Sequence, residues 1–122
     1  MNGRFNENIR FSILKELVLS RKSRSNSNFH QEFIHLENAH ILGQQSTYWH
    51  TKVHVLMLLW AKRQANRKEF TGQIIRIAGA FTKTAVGLVP EGNTGGTNIS
   101  PFKVLHVNPK HAQAIARAKA LR

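Results

Sequence analysis

A chain of 122 residues carries 18 Lys and Arg against 6 acidic residues, a formal charge of +12, and its length fits one domain. All six acids are glutamates and there is no cysteine, which excludes aspartic dyads, Ser-His-Asp triads, disulfides, thiolate zinc sites, iron–sulfur clusters and thiol nucleophiles. The longest apolar run, residues 53–61 broken by His54, falls far short of the roughly 20 residues that cross a bilayer, and with no signal-peptide pattern the expected location is cytoplasmic.

The chain then reads as helices. Residues 8–21 place Ile9, Ile13, Leu14 and Leu17 at helical spacing. The polar, basic run from Arg21 to Asn28 has no apolar anchor and reads as a linker. A second helix is expected over 29–42, with Gly43 in a natural C′ position. A third is expected over 47–65 behind Ser46 as N-cap. Asn66-Arg67-Lys68-Glu69 resembles a capping box that opens a fourth helix toward Val89. Its apolar stripe would run through Phe70, Ile74, Ile77, Phe81, Ala85 and Leu88, leaving Gln73 and Arg76 on a solvated flank.

Pro90 ends that helix, and a Gly-rich loop follows over 91–98. Residues 102–107 suit an extended segment. Asn108-Pro109 then starts a short basic helix to Leu121. The expectation is an all-α fold, a small antiparallel bundle of three core helices with N- and C-terminal helices added. The corresponding division is a basic N-terminal helix and linker (1–28), a helical core with the Gly-rich loop (29–102) and a basic C-terminal segment (103–122).

Chemistry should show where polar side chains interrupt an apolar face. At 100° per residue, with Phe29 at zero, Phe33 falls at about 40°, Leu36 at about −20° and His40 at about 20°, so His40 lies in the apolar stripe. Glu37 flanks it at i, i−3, close enough to pair. On the third helix His50 and His54 are an i, i+4 pair at the edge of the apolar face, a simple helical chelate. A tight hairpin at Gly43 would turn Glu37 and His40 toward His50 and His54. Those four residues are a candidate site for a divalent transition metal such as Zn(II), Fe(II), Ni(II) or Cu(II). The competing reading is a structural polar network. Glu32-x-x-His35 is a second Glu-x-x-His, but it is rotated by about 140° from the first along the same helix, so a di-iron site does not follow. No nucleophile accompanies the cluster, which leaves catalysis undecided.

The motifs Glu37-Asn38-Ala39-His40-Ile41-Leu42-Gly43-Gln44, His50-x-x-x-His54-x-x-Met57, Glu69-x-x-Gly72-Gln73-x-x-Arg76 and Gly92-Asn93-Thr94-Gly95-Gly96 occur in this order. Over roughly residues 29 to 102 this resembles a small bacterial helical family known only as a domain of unknown function. The resemblance implies a compact helical protein that shares these histidines and glutamates, and it implies no activity. The basic ends depart from the family pattern.

The charge supports an alternative. Residues 1–28, 29–90 and 91–122 each carry +4, so the two ends hold most of the excess. Basic tails of this kind suit an accessory protein that binds nucleic acid or an acidic partner. The nearly continuous apolar stretch from Val53 to Trp60 fits a central helix or a homo-oligomer contact.

Overall fold

The computed structural model describes residues 3–85 and 107–120, with side chains from Arg4 to Gly79 and from Val107 to Ala120. Within them lie five helices: α1 (Gly3–Ser25), α2 (Phe29–Gly43), α3 (Thr47–Arg63), α4 (Arg67–Ala85) and α5 (Pro109–Ala120). The fold is an all-α bundle, and no strand occurs among the described residues. The Gly-rich loop at 91–98, residues 102–106 of the extended segment and the expected continuation of α4 to Val89 lie outside the described residues.

Two tight corners connect the helices. At the end of α1, Ser27 adopts φ 58°, while the Ser27 and Asn28 amides donate to Arg24 O at 3.0 Å and Ser23 O at 2.8 Å. This is a Schellman closure, which satisfies carbonyls the helix leaves open. The Asn28 side chain then accepts from the Gln31 amide at 3.2 Å and caps α2. The basic run read as a linker is therefore helical as far as Ser25. Arg and Lys are good helix formers, and Lys22 and Arg24 oppose the negative end of the α1 dipole. The same device recurs after α3. Ala65 takes φ 54°, its amide donates to Lys62 O at 3.2 Å, and the Asn66 amide donates to Ala61 O at 2.9 Å.

The core joins Phe5, Ile9 and Ile13 of α1 to Leu36, Ala39 and Leu42 of α2, to Trp49, Val53 and Met57 of α3, and to Ala118 of α5. Burying aliphatic side chains of this size stabilises by about 1.5–3 kcal/mol each, so α1 is a structural member of the bundle. Trp60 Nε1 donates to Phe29 O at 2.9 Å, which sets the end of α3 beside the start of α2. Trp49 Nε1 donates to Asn6 O at 3.1 Å and sets the starts of α3 and α1 at the opposite end. The helices α1 and α3 thus run parallel, flanking an antiparallel α2, and α4 packs on α3.

Gly43 does not stand in the C′ position expected of it. It is the last residue of α2, and the following cap, Gln44, is right-handed at φ −66°. Its lack of a side chain serves a close approach instead: a Cβ there would sit 2.7 Å from Trp49 Cβ and 3.0 Å from Ile13 Cδ1. Neither the first carbon of Trp49 nor the fully buried Ile13 has room to give.

The face of α4 is reversed from expectation over its described side chains. Gln73 is fully buried, and Glu69 and Arg76 are buried with it, whereas Ile74 and Ile75 are 50% and 68% exposed. The polar stripe meets the histidines of α3, while Phe70 and Ile77 of the expected apolar stripe are only half-buried.

Asn108 caps α5 as the sequence suggests, its Oδ1 accepting from the Lys110 amide at 2.9 Å. Asn8 Nδ2 of α1 reaches across to Ala118 O at 2.9 Å. His111 lies near Glu16, and burial lowers its pKa below the ordinary 6.5, with the Glu16 charge opposing and Lys110 adding to the shift.

Two predictions follow from this packing. Gly43→Ala gains about 1 kcal/mol of helix propensity, but overpacking against Trp49 and Ile13 costs about 1–3 kcal/mol; a net loss in denaturant unfolding is expected. Burial of His111 favours its neutral form. Because its folded pKa lies below 6.5, its contribution is complete above that value and declines as pH falls through the window beneath it. Protection factors of the α5 amides, that is exchange corrected for its intrinsic pH dependence, should therefore fall as pH drops below about 6.5, and His111→Gln should remove most of that fall.

Candidate metal centre

The α2–α3 corner positions the site. The Ser46 amide donates to Gly43 O at 2.9 Å, and Ser46 Oγ accepts from the Trp49 amide at 3.2 Å, capping α3. His40 stands in the last turn of α2, His50 in the first turn of α3 and His54 one turn further on. All three are buried, and their ligating nitrogens lie within 4.8 Å of one another. Each pair of rings has its centroids 4.7–4.9 Å apart, and His40 Nε2 is 3.1 Å from His54 Nε2. Among the described residues this is the one group of three metal-ligating side chains.

Glu37 does not join that group of atoms. It is half-buried, one turn before His40 on α2. Glu32 and His35 are engaged elsewhere: Glu32 Oε2 pairs with Arg63 of α3, while His35 Nδ1 meets Glu16 Oε1 of α1 at 2.9 Å. Asn38 Nδ2 also donates to that Glu16 oxygen, at 3.0 Å.

Helix α4 supplies partners that sequence reading assigned to solvent. His54 Nδ1 lies 2.5 Å from Gln73 Oε1, and Gln73 Nε2 donates to Glu69 Oε2 at 2.5 Å. With the amide nitrogen committed to the carboxylate, the Gln73 oxygen faces His54, so His54 donates from Nδ1. Its Nε2 then presents a lone pair toward His40. The corner at Ala65 contributes to this arrangement. The Asn66 amide is already bound to Ala61 O, so Glu69 does not close a reciprocal capping box. Asn66 Oδ1 accepts from the Glu69 amide at 3.0 Å, and the Glu69 carboxylate is left to hold Gln73. Arg76 is buried two turns further along α4. Desolvation lowers its pKa below the ordinary arginine value, against the opposing attraction of the Glu69 carboxylate.

A signal for these residues exists in the sequence. Glu69, Gln73 and Arg76 follow i, i+4, i+7 spacing and so form one polar stripe. A stripe that narrow beside an apolar one is a match for histidines on a neighbouring helix.

Chemically, three buried imidazoles offer three soft-to-borderline nitrogen donors, a set suited to zinc, iron, nickel or copper. Bonds of about 2.0–2.1 Å in a tetrahedral shell put nitrogens about 3.3 Å apart and never beyond about 4.2 Å. The His40–His54 spacing already matches, and a pair at the 4.8 Å limit would need to close by about 1.5 Å. The Gln73 contact is of the kind that fixes ring orientation and tautomer behind a metal-bound histidine.

No helix among the described residues is long and apolar enough to cross a membrane. No curated protein and no solved structure matches the chain. Residues 7–115 match a family described as "Protein of unknown function (DUF3703)", a span that reaches beyond residues 29–102 at both ends and takes in α1 and most of α5. The chain belongs to the DUF3703 family.

Proposed function

We propose that this protein binds one divalent transition-metal ion through His40, His50 and His54. The observation that carries the reading is the convergence of three buried imidazoles from two helices, with ligating nitrogens within 4.8 Å. Three imidazoles gathered in one buried layer can share a single cation as a common ligating partner. His40 and His54 already direct their Nε2 atoms at each other. The hydrogen-bonded line from Glu69 through Gln73 to His54 supports His54 from behind and supplies negative charge to offset the ion. Three protein nitrogens leave a fourth position for water or an exogenous ligand, the open arrangement of reactive zinc sites. Glu37 is the carboxylate that the sequence pattern offers for that position, by a side-chain movement from its half-buried place on α2.

Untagged protein should therefore retain about one equivalent of metal after purification or take it up on titration. At a hundredfold excess over Kd the ion adds about 2.7 kcal/mol of stability, a rise in Tm on the order of 10 °C for a chain of this size. The double change His50→Ala and His54→Ala should abolish both effects. If metal neither binds nor shifts Tm, the cluster is a structural polar network and the proposal fails. Gln73→Leu provides a separate test. Loss of the His54 and Glu69 partners should lower metal affinity by about 10–100-fold and reduce the stability of the metal-free protein by about 1–3 kcal/mol.

A further inference from the structure

A second feature lies on the other side of α2 and is independent of the metal reading. The parallel helices α1 and α3 leave a groove above α2 with a volume of about 400 Å³, within the range of small-molecule sites. Its walls are apolar, formed by Leu17, Leu36 and Leu56, with Val18 and Leu59 at the lips. Both lip residues are exposed.

The charge on this groove is concentrated at one end. There the last turns of α1 and α3 and the first turn of α2 bring Arg21, Arg24 and Arg63 around Glu32. Glu32 is 3% exposed. Its Oε2 pairs with Arg63, and Oε1 has no hydrogen-bond partner among the described residues. Arg63 pairs with this carboxylate and the Arg24 charge acts on it, while Arg21 lines the same end of the groove. A second carboxylate would offset part of the remaining positive charge, and its paired oxygens match the fork of a guanidinium. Lys52 adds a fourth cation farther along the groove.

We infer that this groove binds an anionic amphiphile of fatty-acid type, its carboxylate between Arg21 and Arg24 and its chain along Leu17, Leu36 and Leu56. At roughly 30 Å³ per water-sized unit the cavity takes about a dozen carbon-sized groups, the length of a medium-chain acid. A cationic amphiphile would meet the arginines. A second copy of the protein would set the same four cations against these.

The test is calorimetric titration of the full-length protein with dodecanoate below its micelle concentration, with dodecanol and dodecyltrimethylammonium as probes that share the tail. Saturable binding of one dodecanoate is expected, at least tenfold tighter than either probe, which corresponds to about 1.4 kcal/mol. The pair Arg21→Gln and Arg24→Gln should weaken it by tenfold or more. Val18→Trp, at an exposed lip, should block it while leaving the helical circular dichroism unchanged. Arg117→Gln with Lys119→Gln on α5 removes the same charge elsewhere and should leave binding intact. Equal losses from the two charge pairs, equal binding of the cationic probe, or no saturable binding would each overturn the assignment, and binding only of an acidic helical peptide would reassign the groove to a protein partner.

Discussion

The close contact of α2 and α3 at Gly43 is the constraint on which the rest of the molecule depends. Because Gly43 has no side chain, Trp49 Cβ and Ile13 Cδ1 occupy the space above it, and three helices meet within a few ångströms at one end of the bundle. Trp49 then reaches the backbone of Asn6, which fixes α1 parallel to α3. The same contact sets the separation of the two helices along their length. That separation lets His40 meet His50 and His54 on one side, and it leaves the groove between α1 and α3 on the other.

The polar layer and the apolar core are two answers to the same problem of burial. Leu36, Ala39, Leu42, Val53 and Met57 satisfy α2 and α3 by packing. The histidines need hydrogen-bonding or ligating partners in a region water does not reach. Helix α4 meets that need by presenting Glu69, Gln73 and Arg76 inward. An arrangement of this kind is specific to one register: sliding α4 by a single residue would rotate Gln73 by about 100° away from His54. A buried polar chain therefore sets where α4 sits more sharply than an apolar contact would, since close-packed leucines tolerate small shifts better than an amide bonded at both ends.

Most of the helical architecture was legible in the sequence because it is written in local signals. Ser46 and Asn108 are caps where expected, and the periodicity of Ile9 and Ile13 locates the buried side of α1. The convergence of His40 with His50 and His54 was also readable, since a short corner between two helices brings their nearest turns together. What was not readable came from tertiary context. Nothing local says that Ser27 and Ala65 will adopt left-handed conformations without glycine, because the closing hydrogen bonds that stabilise them are known only once both helices exist. The inward face of α4 was misjudged for the same reason. The stripe of Phe70, Ile74 and Ile77 is apolar enough to suggest a core, but which stripe is buried depends on what α3 presents opposite it. Glu37 shows the limit of spacing arguments: i, i+3 adjacency to His40 makes contact available without placing its oxygens in the cluster.

The bond from Asn8 to Ala118 spans a separation of 110 residues, nearly the whole described chain. Closing a loop of that length costs more conformational entropy than any corner in the bundle, and among the described residues α5 offers a single fully buried side chain, Ala118, in return. The helical hairpins to which α1–α4 belong are built from near-neighbour contacts, which form rapidly during folding. The last helix thus docks late onto a surface the others have already made. The two ends of the described chain meet at a seam that few buried side chains hold, the kind of contact that opens at less than the global unfolding free energy.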